Sequence, residues 1–314
     1  MSKGFGQNLA FFFAFFLATV SPAFSQKPEF IDIPSLLQQV KQKSDENWRR
    51  MIENYSSYTF KRRETWREAK KEGKIDEKTE LTEIFFPSKC RVRKCRPVEI
   101  ILEKDGKQTA VEKIEKERIK AGEKLEKLEN DEQAQIPLMK RDSPTHWMMF
   151  YYALHRPFDS KPKLLIKIDG KEILEKCEFY LPERERINGR EAISLKFRPR
   201  PDAAFSKETN YSQMVEGKIW IDASDKVSFR LLMWQKGTKL EKETSDYLLE
   251  NAPLAYDLTR VKEGIWFFRL GRITALKNSF ISPEMKRDLV IENFDYHYFQ
   301  TEIKNVEVGS PKQN

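Results

Sequence analysis

Histidine and cysteine are nearly missing from this chain, with three of each in 314 residues. His146 lies beside Trp147 and His297 between Tyr296 and Tyr298, settings that suit packed rings better than general bases. The sequence also lacks a zinc-hydrolase H-E-x-x-H, a G-x-S-x-G nucleophile elbow, a phosphate loop and a dinucleotide fingerprint. Paired carboxylates abound, mainly in Lys/Glu-rich segments where surface ion pairing explains them. A two-carboxylate glycosidase stays formally open. The chain is therefore read as non-enzymatic, with no cofactor and no metal.

Long apolar runs are absent too, except at the N-terminus. Lys3 precedes Leu9–Val20, an uninterrupted apolar stretch of h-region length, and Ser21-Pro22-Ala23-Phe24-Ser25 supplies a helix break and a small-x-small cleavage pattern. Residues 1–25 read as a signal peptide cut after Ser25, and the rival reading is an uncleaved anchor helix. No cysteine near the cut offers an acyl acceptor. Export to the periplasm follows, with no transmembrane span after cleavage. The remaining 289 residues (314 less the 25-residue leader) suffice for a substantial core.

The net charge is +8. An exported protein rarely meets nucleic acid, so anionic lipid or an envelope polymer fits this excess better. Cys90 and Cys95 are spaced to close a small disulfide loop, leaving Cys177 over; the alternative is that they stay reduced. A zinc site would need four spaced ligands, and the histidines do not supply them. The run Lys89–Arg96 between and around these cysteines is strongly basic, either an anion contact or a solvated loop.

From Pro34 to about Tyr55, apolar residues at steps of three and four predict an amphipathic helix. Tyr58, Phe60 and Trp66 share parity in a strand over 58–67, followed past Gly73 by a strand over 79–86, a hairpin with a long tip. Val98–Leu102 is a short apolar run ending at the Asp105-Gly106 turn. Residues 109–131 predict a charged helix with favourable Glu112–Lys116 and Glu123–Lys127 pairs. It reads as a solvated helix on or beside the sheet, or as a coiled-coil partner. His146–Leu154, the most apolar aromatic segment after the leader, reads as a buried helix or a lid over a cavity.

The second half predicts strand after strand. Ile193, Leu195 and Phe197 alternate with polar residues after Asn188-Gly189; Gly217–Asp222 follows, then Val227, Phe229, Leu231 and Met233 at period two. Strands over 265–276 and 289–299 close the series. Two-sided aromatic content in Ile265–Phe268 means that some strands bury both faces.

The order of these elements, with Asn188–Phe197, the edge Gly217-Lys-Ile-Trp-Ile-Asp222 and the hairpin partner Val227–Trp234, resembles the LolA/LolB-like superfamily of periplasmic lipoprotein carriers. That superfamily also includes sensor domains of the RseB/MucB type. The resemblance spans roughly Ser35 to Phe299. It implies an α+β fold: a curved antiparallel β-sheet, a half-barrel covered by helices, with acyl chains on the concave side. One such domain over 26–308 is expected, with the charged insertion near 109–132 and a tail over 309–314. The carriers' lipid-gating arginine has no counterpart that can be assigned here. Ile193, Leu195, Phe197, Ile219 and Ile221 are the candidate wall of a ligand cavity, or else plain core. Two functions of different class remain: binding of lipid or lipoprotein acyl chains, or a sensor or interaction module with a filled core that meets an envelope protein.

Overall fold

In the computed structural model of the chain, Leu36, Val40, Ser44 and Asn47 form the buried stripe of helix α1 (Ile33–Tyr55). Their spacing of three or four residues puts them on one helical face, and half-buried Met51 extends it. The residues described are 31–55, 57–69, 74–85, 98–130, 170–205, 215–238, 244–273 and 287–298. The expected leader, the Lys89–Arg96 loop with Cys90 and Cys95, His146–Leu154 and the tail over 309–314 lie outside them. The elements below fall in the unit Ile33–Asn314; the other unit, Met1–Asp32, lies almost wholly outside the described residues.

The strands are β1 (Tyr58–Ala69), β2 (Ile75–Phe85), β3 (Val98–Lys104), β4 (Lys107–Gln108), β5 (Cys177–Ile187), β6 (Arg190–Pro199), β7 (Val215–Asp222), β8 (Ser228–Gln235), β9 (Leu254–Lys262), β10 (Ile265–Ile273) and β11 (Arg287–Tyr298). Helices α2 (Val111–Asn130) and α3 (Gly170–Lys176) fall between β4 and β5, and α4 (Ser245–Asn251) between β8 and β9. The strands form one 11-stranded antiparallel sheet in the order β4-β3-β2-β1-β11-β10-β9-β8-β7-β6-β5. Every neighbour in this order is a neighbour in sequence except β1 and β11, which join the chain's two ends. Among the described residues the sheet is open, with β4 and β5 as its edges.

Turn chemistry sets two of the tight hairpins. Asp105-Gly106 and Asn188-Gly189 have positive φ at both central positions (51° and 75°; 49° and 78°), the two-residue turn that matches strand twist. The first hairpin is longer than expected. Ala69 pairs with Ile75, and Arg67 bonds Glu77 at 2.6 Å across the strands. Cross-strand charge extends this ladder where the sequence shows no apolar alternation.

Five elements were not foreseen: β4, α3, α4, β5 and β9. The charged strand β5 bends at Leu181 (φ 51°), next to Pro182, which breaks any regular period. In β9 both Ala255 and Asp257 are buried between apolar neighbours, so the strand has no polar face to reveal it. The period-two expectation for β8 also understates its burial, because Arg230, Leu232 and Trp234 are as enclosed as Leu231 and Met233. Helix α2 packs Ile114 and Ala121 against Val98 and Ile100 of β3, and its Arg118 bonds Glu83 of β2 at 3.1 Å. It is thus a docked helix, and Gly122 lies inside it without interrupting it.

Candidate functional site

Residues directly opposite one another in a sheet share a face, so the strand registers define rows across it. One row runs Phe179, Phe197, Gly217, Met233, Leu254, Ile273, Leu289 and Trp66, from β5 to β1, and ends at Lys78 on β2. The next runs Leu195, Ile219, Leu231, Tyr256, Gly271 and Ile291 before it meets Glu64 and Glu80. Ile193 faces Ile221 beside them. All five candidate cavity residues therefore stand together on this face, and Leu195, Phe197, Ile219 and Ile221 are 0% exposed.

Gly217 owes its identity to this packing. A Cβ there would sit 2.5 Å from Cε1 of Phe197 and 2.5 Å from the carbonyl oxygen of Leu232. The Phe197 ring occupies the space a side chain would need, and it also meets Phe179 at 5.7 Å between centroids.

Helix α1 lies on the same side. Met51 packs with Tyr58 and Phe267, and Tyr58 shares β1 parity with Trp66. Asn47 holds the helix to β10 by two bonds: its Nδ2 donates to the Trp266 carbonyl (3.3 Å), and its Oδ1 accepts from the Trp266 amide (2.9 Å). These backbone groups lie beyond the stretch of β10 that pairs with β11, Leu270 to Ile273. The side-chain amide serves groups that this ladder would otherwise leave unpaired. Towards its start α1 is tied to α3 through Lys41 and Glu175 at 3.0 Å.

The opposite face packs Trp220, Leu232, Trp234, Ala255 and Leu270 with Leu248 and Ala252 of the α4 segment, and it also carries a polar row. That row runs Glu183, Ser194, Trp220, Arg230, Asp257 and Leu270. Arg230 Nε bonds Asp257 at 2.6 Å with both groups buried; Arg269 bonds the other Asp257 oxygen, and Ser245 of α4 bonds Arg230. Lys218 reaches Glu183 (2.7 Å) and Glu185 (2.9 Å). Arg190 forks onto Asp222 at 2.6 and 2.9 Å, while Asp225 accepts from Arg260 and from the Trp266 indole.

Asp222, Glu185 and Lys218 are held in their ionised forms. Burial acts to raise the Asp222 carboxyl, but the Arg190 bond and the amides of Asp225 and Ser224 outweigh it and hold it below the usual range. Glu185 is likewise lowered: burial opposes, and bonds from Ser194 and Lys218 prevail. Burial acts to lower Lys218, yet its two glutamates hold it raised. A carboxylate fixed as an anion by a cation is a poor proton donor, so these pairs brace the sheet rather than present acid–base chemistry.

Burial pushes the Cys177 thiol up to about 12, which removes it as a nucleophile at neutral pH. His297 is exposed on β11. Among the described residues no group of three or more His, Cys, Asp or Glu side chains is gathered as metal ligands. Sequence reasoning missed Asn47, Met233 as part of one continuous row, and the Leu254, Leu289 and Trp66 share of the face. Two polar residues, Ser44 and Asn47, continuing the helical spacing of Leu36 and Val40 were the one signal available.

The class these features define is an open antiparallel sheet with one face apolar from β5 to β1 and the other combining an apolar cluster with buried ion pairs. No family model matches the chain, and no curated protein matches it. Among solved structures it is similar, distantly, to a Vibrio parahaemolyticus domain described as an outer membrane lipoprotein-sorting protein. The identity there is 11% and the TM-score 0.31, over 86% of this chain and 93% of that one. It is also similar to a LolA superfamily protein of Nitrosomonas europaea (9% identity, TM-score 0.29, 84% of this chain and 93% of that one). A third likeness is to the Pseudomonas aeruginosa MucA/MucB complex (10% identity, TM-score 0.22, 80% of this chain and 93% of that one).

Proposed function

We propose that this chain is a non-enzymatic periplasmic protein that holds lipid or lipoprotein acyl chains against its apolar face, with the sheet curving into a half-barrel around them. The leader over 1–25 delivers it there. The observation that carries the reading is the row from Phe179 to Trp66, which crosses eight strands without one charged side chain. At a strand spacing of about 4.8 Å, eight strands give an apolar path of roughly 34 Å. Met233, Leu254 and Ile273 are covered within the chain. An acyl chain would enter by replacing apolar neighbours, an exchange of like contacts with little net change in buried area. Ile193, Leu195, Phe197, Ile219 and Ile221 are the wall it meets on β6 and β7. Gentle extraction from the envelope followed by mass spectrometry tests this. A co-purifying lipid, together with displacement of a fluorescent apolar probe by added acyl chains, is the expected result. A lipid-free protein that binds no such probe would overturn it.

A second reading has its own observation. Helix α2 leaves Val111 and Ile119 exposed (73% and 62%) while its other side packs on β3. Exposed aliphatic side chains two turns apart on a docked helix suit a protein contact. In this reading the chain is a sensor or interaction module that meets an envelope protein. In-envelope crosslinking from position 119 would trap that partner, and a variant lacking 109–132 would lose the product. Crosslinking that survives the deletion removes α2 as the contact.

A further inference from the structure

The apolar face contains two buried hydroxyls that the fold leaves without a bond. Ser44 and Ser228 are 4% and 2% exposed, and neither Oγ has a hydrogen-bond partner among the described residues. Ser228 lies directly across from Ile221 and so belongs to the face of the five candidate wall residues. Ser44 stands on the buried stripe of α1, one turn before Asn47. From Asn47 on β10 the helix runs towards α3 and β5. Strands β8 and β10 are both antiparallel to β9, so their first residues lie at the same end of the sheet. Ser228 opens β8, and Trp266, the partner of Asn47, is second in β10. Both hydroxyls therefore occur at one end of the same apolar face, one from the helix and one from the sheet.

A buried hydroxyl without a partner is unfavourable, and alanine at either place would serve the fold better. Positions where local rules are broken in this way concentrate at functional sites. We propose that Ser44 and Ser228 form the polar end of the acyl site and donate hydrogen bonds to a neutral carbonyl, an ester or amide, at the head of the bound chain. The inference rests on the acyl-binding reading above and names the ligand's head group. Two uncharged donors suit a neutral acceptor, whereas an ionic head would need a counter-charge that these side chains do not supply.

The test uses the full mature chain and two probes of similar length, methyl decanoate and undecane. Each competes against N-phenyl-1-naphthylamine fluorescence. The wild type is expected to prefer the ester by about tenfold, the effect of one to two hydrogen bonds to otherwise unsatisfied groups. In the double variant Ser44→Ala, Ser228→Ala that preference should fall to within about twofold, with a thermal midpoint equal to or above wild type. An unchanged preference in the double variant overturns the proposal. So does a lower midpoint with preference retained, which would mean the hydroxyls serve the fold through bound water. If the wild type binds both probes equally, only the carbonyl anchor fails. If it binds neither, the acyl-binding reading itself fails.

Discussion

Asp257 sits between Arg230 and Arg269 with about 1% of its surface exposed. Removing it would leave a buried guanidinium without a counter-charge, so Asp257→Ala should destabilise by about 3–5 kcal/mol in chemical denaturation. Glu178, which bonds Arg198 in the open at 2.9 Å, should cost less than about 1 kcal/mol by the same change. Equal losses at the two sites would contradict the burial argument. The pH dependence follows from the signs above. Asp222 and Glu185 are lowered in the fold, so their contribution is present above the unfolded carboxylate range and lost as pH falls through their folded values. Lys218 is raised, so its contribution is present below its unfolded value and lost as pH rises through the folded one. Denaturation across pH should give a plateau between roughly pH 4 and 10. Asp222→Asn should flatten its acid edge, and an unaltered acid edge would contradict this assignment. Gly217→Ala is the steric counterpart. Its new Cβ meets the Phe197 ring and a backbone oxygen, so a loss of about 1–3 kcal/mol is expected, eased by Phe197→Leu.

At the scale of elements, α1 depends on one side chain more than on its length. Its stripe is apolar at Leu36 and Val40 but polar at Ser44 and Asn47, and Asn47 alone holds both backbone groups of Trp266. Asn47→Ala should cost about 1–3 kcal/mol and speed hydrogen exchange at the Trp266 amide while β6 and β7 amides stay protected. Uniform loss of protection across the sheet would show that the helix is not an independent clasp. The edge strand β5 has its own protection. Pro182 lacks a donor, Leu181 bends the strand at φ 51°, and the charges from Glu183 to Arg186 discourage a second sheet from adding here.

For the whole molecule, the pairing of β1 with β11 decides the architecture. All other strand pairs are local hairpins or near neighbours, and this one joins residues 58–68 to residues 287–298. Without β11 the strands on either side would form two separate sheets, each with a new unpaired edge across its apolar rows. A chain ending before Arg287 should therefore lose the cooperative unfolding transition in circular dichroism. A sharp transition near the full-length midpoint would show that the β5–β10 part folds alone. The apolar row depends on the same closure, since Trp66 joins it only through Leu289.

The sequence by itself determined the elements whose local chemistry is self-sufficient. Asn188-Gly189 and Asp105-Gly106 carry their turns in residue type, α1 shows its stripe in period, and Ile193, Leu195 and Phe197 show their shared face in alternation. The five candidate residues follow from that parity, and the structure places them together. Only the tertiary structure decided what depends on partners distant in sequence. Strand β9 was hidden because Asp257 reads as a surface residue until Arg230 and Arg269 neutralise it. The role of Gly217 was hidden because the Phe197 ring that excludes a side chain comes from another strand. The continuity of the apolar face from Phe179 to Trp66 was hidden because it runs across the strands. Sequence periodicity reports which way a side chain points along its own strand, and register between strands is set by the long-range contacts that close the sheet.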